Sequence, residues 1–455
     1  MDERPVSGAS WGEDLREMAR IAAPVVLVNM GMQAMGMVDA LMVGRLGGAA
    51  IAAVALGNFY VFNASVFGMG LLFALDPVVA QGVGARDARA VALGVQRGLL
   101  LALVVALVVS TALMPGEWVL QALRQPPEVV GETARYTRLR ALGTVPFFAF
   151  LLMRQVLQAM GPVRPVLLAV LVANVVNVAA NWALIEGHWG APRLGVAGAG
   201  VATAVATWSM AGVAAATAWP LVRPALRPWH PASWARAPML RLVRIGAPIG
   251  AQWFFESFAF GFTAVLMGWM GTASLAGHEI ALNLAAMTYM VPLGISGAAA
   301  AVVGRAIGRG EQEVARRDAL AAIACGVGFM SITAVLFLAL PEWLATRYTR
   351  EAATVAVAAA LIPIAGVFQV FDGLQGVTSG VLRGTGDTRV PALLHLLAFW
   401  AVGMPLGSWL GFATPLRERG LWIGLVAGLA MAGALQSVRV WHRFRAPIAR
   451  VRLDG

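Results

Sequence analysis

Long runs of apolar residues, separated by short polar stretches, extend over nearly the whole chain. A helix needs about 20 apolar residues to cross a hydrocarbon core about 30 Å thick, and windows of that length recur throughout. The pattern therefore predicts twelve spanning helices, with these approximate bounds: 18–44, 51–80, 92–114, 134–158, 164–185, 195–220, 241–269, 275–304, 317–340, 351–381, 390–411 and 420–441.

The composition supports the membrane assignment. Hydrophobic residues make up 59% of the 455 residues, charged residues make up 13%, and the mean hydropathy is +0.74, whereas a soluble domain has roughly 25% charged residues. We therefore expect an all-α integral membrane protein. The first 20 residues are polar and mixed in charge, which predicts no cleaved signal peptide. The single cysteine, Cys325, supports neither a disulfide nor a multi-cysteine metal site.

The net charge of +11 follows the pattern of membrane topology. All 34 basic residues are arginines, and 24 of them lie at the termini, in alternate connections or at the adjoining helix ends. Because arginines accumulate on the cytoplasmic side, this predicts a multi-pass membrane protein with both termini in the cytoplasm. The basic surface then contacts anionic lipid headgroups, and we expect no nucleic-acid partner.

The chain also matches itself at an offset of about 224 residues. RIAAPVV at 20–26 recurs as RIGAPIG at 244–250. The expected organisation is an N-terminal six-helix lobe at 1–220, a cytoplasmic linker at 221–240 and a C-terminal six-helix lobe at 241–455. An even number of helices in each half makes this a parallel repeat, and two such bundles typically work by alternating access. A duplicated scaffold without transport is the alternative, but buried carboxylates in both halves argue against it.

Five carboxylates lie inside or at the edges of the apolar runs. A charge near the bilayer centre costs about 2.5 to 3.5 kcal/mol on insertion scales, so it faces protein or a cavity and usually serves transport or proton transfer. The five are Asp39, Asp76, Glu256, Glu279 and Asp372.

Asp39 has adaptable apolar neighbours on its own helical face. Met35 and Met32 precede it by four and seven residues. Such a site suits the binding of a cationic substrate or reversible protonation. A permanently hydrogen-bonded structural carboxylate is the alternative. In the fifth predicted helix, Asn174, Asn177 and Asn181 form one polar stripe. These asparagines either form interhelical hydrogen bonds or belong to a proton or substrate site around Asp39.

Glu256 and Asp372 lie in the second half of the chain, each with amides on its own face. Gln252 precedes Glu256 by four residues, and Gln369 and Gln375 flank Asp372 at a spacing of three. Two convergent carboxylates with amide oxygens suit a hard cation such as sodium. The scattered histidines make a soft-metal site improbable, and we expect no cofactor beyond a coupling proton or sodium ion.

Three further residues are secondary candidates. Asp76 precedes Pro77 near a cytoplasmic helix end, which favours a structural or gating role. His278 and Glu279 are adjacent near an outer helix end, where the pair serves either proton relay or simple capping and solvation.

Several segments resemble the multidrug and toxic compound extrusion (MATE) family, most closely its bacterial NorM-type branch. They are MVDALMVGRLG at 37–47, FFESFAF at 254–260, LAGHEIALN at 275–283 and FQVFDGLQGVTSGVLRGTGDTRVP at 368–391. The resemblance covers essentially all twelve helices. It implies a cation-coupled antiporter that exports cationic or amphipathic compounds in exchange for protons or sodium.

The resemblance also implies residue roles. It assigns Asp39 to coupling in the first lobe, with the asparagine stripe around it, and Glu256 with Asp372 to cation coupling in the second. NorM-type chains often carry tyrosine at the position of Phe368, so a cation here would meet only the face of a ring.

Two other functions agree less well with the sequence than an antiporter does. A lipid-linked oligosaccharide or lipid flippase would need a strongly basic cavity, whereas the helix interiors here carry acids. An intramembrane enzyme lacks support, because no catalytic histidine or metal-ligand spacing accompanies the carboxylates. A chain without lysine cannot form a phosphate-binding P-loop, so we expect no nucleotide partner. The expected partners are drug-like small molecules and membrane lipids, and the expected functional unit is a monomer.

Overall fold

A computed structural model describes residues 10–454 of the chain. The described residues form helices, and eleven of these are long and apolar enough to span a membrane. A bent pair of shorter helices brings the number of candidate spans to twelve, as the sequence predicts. Arg4, which the charge argument places in the cytoplasm, lies outside the described residues.

The helices divide into two compact units. Unit N comprises the described residues 27–83, 87–250 and 453–454, and unit C comprises 10–26, 84–86 and 251–452. The units change over at residues 26 and 250, in each case two residues after the proline of the repeated motif, Pro24 or Pro248. The boundaries that the repeat suggests, at 220 and 241, stay a prediction.

The first nine helices supply most of unit N. They are α1 (Trp11–Val43), α2 (Gly48–Leu72), α3 (Leu75–Gly84), α4 (Ala88–Leu113), α5 (Gly116–Ala122), α6 (Pro127–Ala141), α7 (Thr144–Met160), α8 (Arg164–Glu186) and α9 (Val196–Leu226).

The remaining helices supply most of unit C. They are α10 (Arg236–Met270), α11 (Thr272–Arg309), α12 (Gln312–Ala339), α13 (Pro341–Thr346), α14 (Ala352–Gly384), α15 (Arg389–Leu397), α16 (Met404–Ala413) and α17 (Glu418–Arg443). A π-helical turn at Ala398–Gly403 joins α15 to α16.

The span predicted at 134–158 is not a straight helix. It consists of α6 and α7, which meet at a 52° bend. The backbone at the bend is accommodated by α9, because the Trp208 indole donates a hydrogen bond of 3.0 Å to the Leu142 carbonyl. Gly143 faces Thr207 and Ala204 so closely that a larger residue would overlap them. Interruptions of this kind are tolerated in membrane helices where neighbours satisfy the freed groups.

Close glycine contacts join α16 and α17 within unit C. A side chain added at Gly424 would meet the backbone of Gly407, and one added at Gly428 would approach Gly403 and Phe399. Spacing of small residues by four positions lets two helix backbones touch, which is a common basis of helix association in lipid.

One of the 24 arginines assigned to the cytoplasmic side lies inside a helix. Arg154 belongs to α7 and is only 8% exposed. Its Nη2 atom donates to Asn29 Oδ1 at 2.7 Å, and its Nη1 atom lies 3.7 Å from the Met32 sulfur. A guanidinium buried beside α1 has an internal role that its position near a helix end did not reveal.

Candidate functional site

In unit N, Asp39 is the centre of a buried polar cluster. Its side chain has no exposed surface. Asn177 and Asn181 of α8 donate to its Oδ1 atom at 3.0 and 2.6 Å, and Thr203 of α9 donates to its Oδ2 atom at 2.6 Å. Three donors from two helices match the acceptor-only character of an ionised carboxylate.

The three asparagines of the polar stripe have two different roles: two contact Asp39, and one forms an interhelical hydrogen bond. Asn177 and Asn181 contact Asp39, but Asn174 donates to the Gly31 and Val170 carbonyls at 2.9 and 2.8 Å. Asn174 therefore joins α8 to α1 by backbone hydrogen bonds. The Oδ1 atoms of the other two asparagines are buried without a hydrogen-bond partner among the described residues, so each retains a free acceptor beside Asp39.

Tyr136 and Arg140 form a second layer around Asp39. Both interact electrostatically with Asp39. Arg140 donates to Tyr136 Oη at 3.1 Å and to Asn58 Oδ1 at 2.5 Å, and Tyr136 donates to the same Asn58 oxygen at 2.9 Å. These three residues were not singled out from the sequence. The available signal was an arginine inside the predicted span at 134–158.

The two predicted methionines lie one turn apart on α1. Met35 is 6% exposed, and Met32 contacts Arg154. Met32, which shares a face of α1 with Asp39, thus also lies beside the buried guanidinium of Arg154. Sequence spacing alone did not indicate this second neighbour.

In unit C, Glu256 of α10 and Asp372 of α14 belong to one buried cluster. The two carboxyl groups interact electrostatically. The Tyr289 phenol of α11 interacts with both of them and with Arg383. Asp372 is 6% exposed, and the Glu256 side chain is 18% exposed. The structure therefore brings together the two carboxylates that the sequence placed in one site.

His395 of α15 completes this cluster and was missed by the sequence argument. Its Nε2 atom lies 3.5 Å from Glu256 Oε2, and its Nδ1 atom lies 3.0 Å from Gln375 Nε2. The available signal was a histidine in the second turn of the predicted span at 390–411. Histidines inside membrane spans are rare and commonly functional.

The amides predicted near these carboxylates have different partners. Gln375 contacts His395 and, at 3.3 Å, Ser379. Gln369 accepts a hydrogen bond of 2.7 Å from Thr288 of α11. Gln252 is buried one turn before Glu256. The three amides therefore lie within about one helical turn of Glu256 or Asp372 along the chain, and the contacts of Gln369 and Gln375 are with Thr288, Ser379 and His395.

Phe368 lies one turn before Asp372 and is fully surrounded by aromatic side chains. It is 1% exposed, and its ring packs edge-on against Trp422 and Phe260, with centroids 5.4 and 6.1 Å apart. Phenylalanine in place of tyrosine therefore maintains an apolar contact of the unit C core.

The secondary candidates are separated by the structure. Asp76 is 3% exposed in the first turn of α3, directly after the break at Phe73 and Ala74. His278 is buried and accepts a hydrogen bond of 3.1 Å from the Trp422 indole, whereas Glu279 points to the exposed side of α11. His278 and Glu279 therefore have different surroundings, one buried and one exposed, and the two side chains do not form a buried pair. Within residues 10–454, no group of three or more His, Cys, Asp or Glu side chains is placed to hold a metal ion.

Known proteins resemble this chain over nearly its whole length. The family model MatE matches residues 24–183 and 248–409. The chain is 36% identical over 447 residues to the multidrug resistance protein NorM of Burkholderia vietnamiensis, covering 96% of each chain. It is 35% identical over 434 residues to the multidrug resistance protein PmpM of Pseudomonas aeruginosa, covering 94% of this chain and 91% of that protein.

Solved structures share the fold. The crystal structure of the eukaryotic MATE transporter AtDTX14 superposes with a TM-score of 0.87 at 20% identity, covering 95% of this chain and 96% of that one. A MOP superfamily transporter from Pyrococcus furiosus gives a TM-score of 0.85 at 20% identity, covering 98% and 99% of the two chains.

Proposed function

Because the chain belongs to the MATE family of multidrug efflux transporters, we propose that it is a secondary active antiporter that exports cationic or amphipathic compounds in exchange for protons or sodium. The observation that supports this most directly is the presence of one buried carboxylate cluster in each unit, around Asp39 and around Glu256 with Asp372. Charged groups at such depth are costly, and ion pathways are their commonest use.

Each cluster has a chemistry suited to a coupling cation. The Asp39 carboxyl group accepts hydrogen bonds from three donors, so a proton or an organic cation that binds there competes with three formed contacts. Glu256 and Asp372 offer carboxylate oxygens, which are the ligand type that a hard cation such as sodium prefers. We assign coupling to these three carboxylates and leave proton and sodium as the two candidate ions.

The proposed transport mechanism rests on the two duplicated helix bundles. Parallel repeats in membrane transporters commonly open and close a central path by moving one repeat against the other. We propose this alternating access here, in a monomer of the bacterial inner membrane with both termini in the cytoplasm. The relatives named as multidrug resistance proteins suggest drug-like small molecules as substrates.

The test uses the purified protein in liposomes loaded with the cationic dye ethidium. A proton gradient, with the outside more acidic, and a sodium gradient, with more sodium outside, are imposed separately. Dye movement is followed by fluorescence. We expect at least one gradient to drive transport, and a protonophore or a sodium ionophore to abolish it. If neither gradient drives transport of ethidium or of other cationic dyes, the antiport proposal is wrong.

A further inference from the structure

His395 lies at an unusual point of unit C. It is 1% exposed, and its ring stacks on Phe399 with centroids 4.7 Å apart and an interplanar angle of 27°. Three residues after it, the helix changes to the π-helical turn at Ala398–Gly403. Such turns occur frequently at functional sites in membrane and soluble proteins alike.

The contact with Gln375 determines the protonation pattern of the His395 ring. Gln375 Nε2 lies 3.0 Å from His395 Nδ1. An amide nitrogen only donates hydrogen bonds, so Nδ1 must accept, and the neutral ring then carries its proton on Nε2. Gln375 in turn contacts Ser379 at 3.3 Å, which holds the amide in position.

The protonated nitrogen faces Glu256. His395 Nε2 lies 3.5 Å from Glu256 Oε2 and is buried without a hydrogen-bond partner among the described residues. This separation exceeds the usual N–H···O distance of about 2.9 to 3.0 Å, so a movement of under about 1 Å closes the bond. Glu256 also interacts electrostatically with Asp372 and Tyr289.

A positioning role suits this geometry better than a relay. A proton leaving Nδ1 would have to pass to Gln375, but a carboxamide donates hydrogen bonds and has no titratable proton to exchange. The second nitrogen of the ring is therefore closed to proton transfer. What remains is one N–H, whose nitrogen lies 3.5 Å from a Glu256 carboxylate oxygen.

We propose, as an extension of the antiport proposal, that His395 is a positioning residue that donates its Nε2–H to the charged carboxylate of Glu256, and that Gln375 maintains the tautomer that makes this possible. The donor holds Glu256 within the cluster that contains Asp372 and Tyr289. Its loss affects ion binding and leaves binding of the organic substrate nearly unchanged.

The first experiment compares dye transport by the wild type, His395→Leu, His395→Gln and Gln375→Leu in the liposome assay. His395→Leu removes the donor of the proposed hydrogen bond to a charged group, so the half-saturating concentration of the coupling ion is expected to change about tenfold or more. The dissociation constant for ethidium, measured by fluorescence, is expected to stay within about twofold. His395→Gln retains an N–H donor and recovers most of the ion response.

His442→Gln serves as the matched control. His442 is an exposed histidine at the end of α17, and its substitution leaves both quantities unchanged. Gln375→Leu keeps the ring but removes the donor to Nδ1, and is expected to give an intermediate change in ion response. This second variant tests the proposal even if His395→Leu fails to fold.

The second experiment does not depend on transport. Infrared spectra of the purified protein identify the carboxylate stretching band of Glu256 as the band that is lost in Glu256→Gln. The proposal predicts a shift of this band in His395→Leu and its return in His395→Gln. An unshifted Glu256 band in His395→Leu or, where that variant does not fold, in Gln375→Leu overturns the inference, whether or not either gradient drives transport. Absence of gradient-driven transport with a shifted band overturns the antiport proposal and leaves the contact supported.

Discussion

The Nδ2 atom of Asn181 lies 2.6 Å from the Oδ1 atom of Asp39, and this contact joins α8 to α1 at a carboxylate without exposed surface. Asn181 is 142 residues away in sequence. The short distance is typical of a hydrogen bond to a charged acceptor. The contact therefore links the polar stripe of one helix to the charge carried by another.

Asn181→Leu, which keeps the same number of side-chain heavy atoms and the same branching, is expected to impair ion-driven efflux. The substitution removes one of three donors to Asp39, and a hydrogen bond to a charged group contributes about 1.5 to 3 kcal/mol. Transport at subsaturating ion concentration should therefore change about tenfold. Asn283→Leu, at an exposed position of unit C, is the control. An Asn181→Leu protein with the ion response of the wild type would show that this donor does not affect coupling.

Asp39→Asn and Glu256→Gln are each expected to abolish gradient-driven dye efflux, since each removes one carboxylate of its cluster at nearly constant shape. Glu313→Gln changes a carboxylate of the same type at an exposed helix start and should transport normally. The measurement is the initial rate of ethidium movement under the gradient that drives the wild type. If either core variant retains the full rate, that carboxylate is not a coupling site.

Gly424→Val should destabilise unit C. Its added side chain overlaps the backbone of Gly407, and overpacking of this kind typically costs about 1 to 3 kcal/mol. Gly328→Val is the matched control, because nothing lies within 4 Å of a side chain added there. Thermal unfolding in detergent should show a lower midpoint for Gly424→Val only. Equal midpoints for the two variants would contradict the close approach of α16 and α17.

The Arg97 side chain is fully buried, and its two terminal nitrogens donate to the Asp454 carboxylate at 2.9 and 2.5 Å. Asp454→Asn leaves this guanidinium without a counter-ion, and we expect a loss of about 1 to 3 kcal/mol in the free energy of unfolding.

The exposed pair Arg309 and Glu311 offers the comparison for this prediction. Glu311→Gln should cost less than about 1 kcal/mol, because exposed ion pairs contribute little. Chemical or thermal denaturation of the two variants measures the difference. Similar losses from both variants would mean that the Asp454 contact does not stabilise the fold.

The positions of the spans and of the buried carboxylates could be predicted because both are local properties. Hydropathy over about 20 residues reports whether a helix can cross lipid, and an acid such as Asp39 inside such a window stands out without knowledge of its neighbours. The predicted spans agree with the observed helices for the same reason. The bend between α6 and α7 was not predicted, because Leu142 and Gly143 continue the apolar pattern of the span. The helix is interrupted there where Trp208 and Thr207 of α9 contact these two residues.

The sequence by itself determined the membrane class, the number of spans, the internal repeat and the carboxylates that need an explanation. Only the tertiary structure decided their partners: His395 beside Glu256, Arg140 near Asp39, and Asn174 on the backbone of α1 instead of at the carboxylate. The reason is that each partner lies on another helix. Which side chains meet across helices depends on the rotation and spacing that packing imposes on each helix, and hydropathy along one segment carries no record of either.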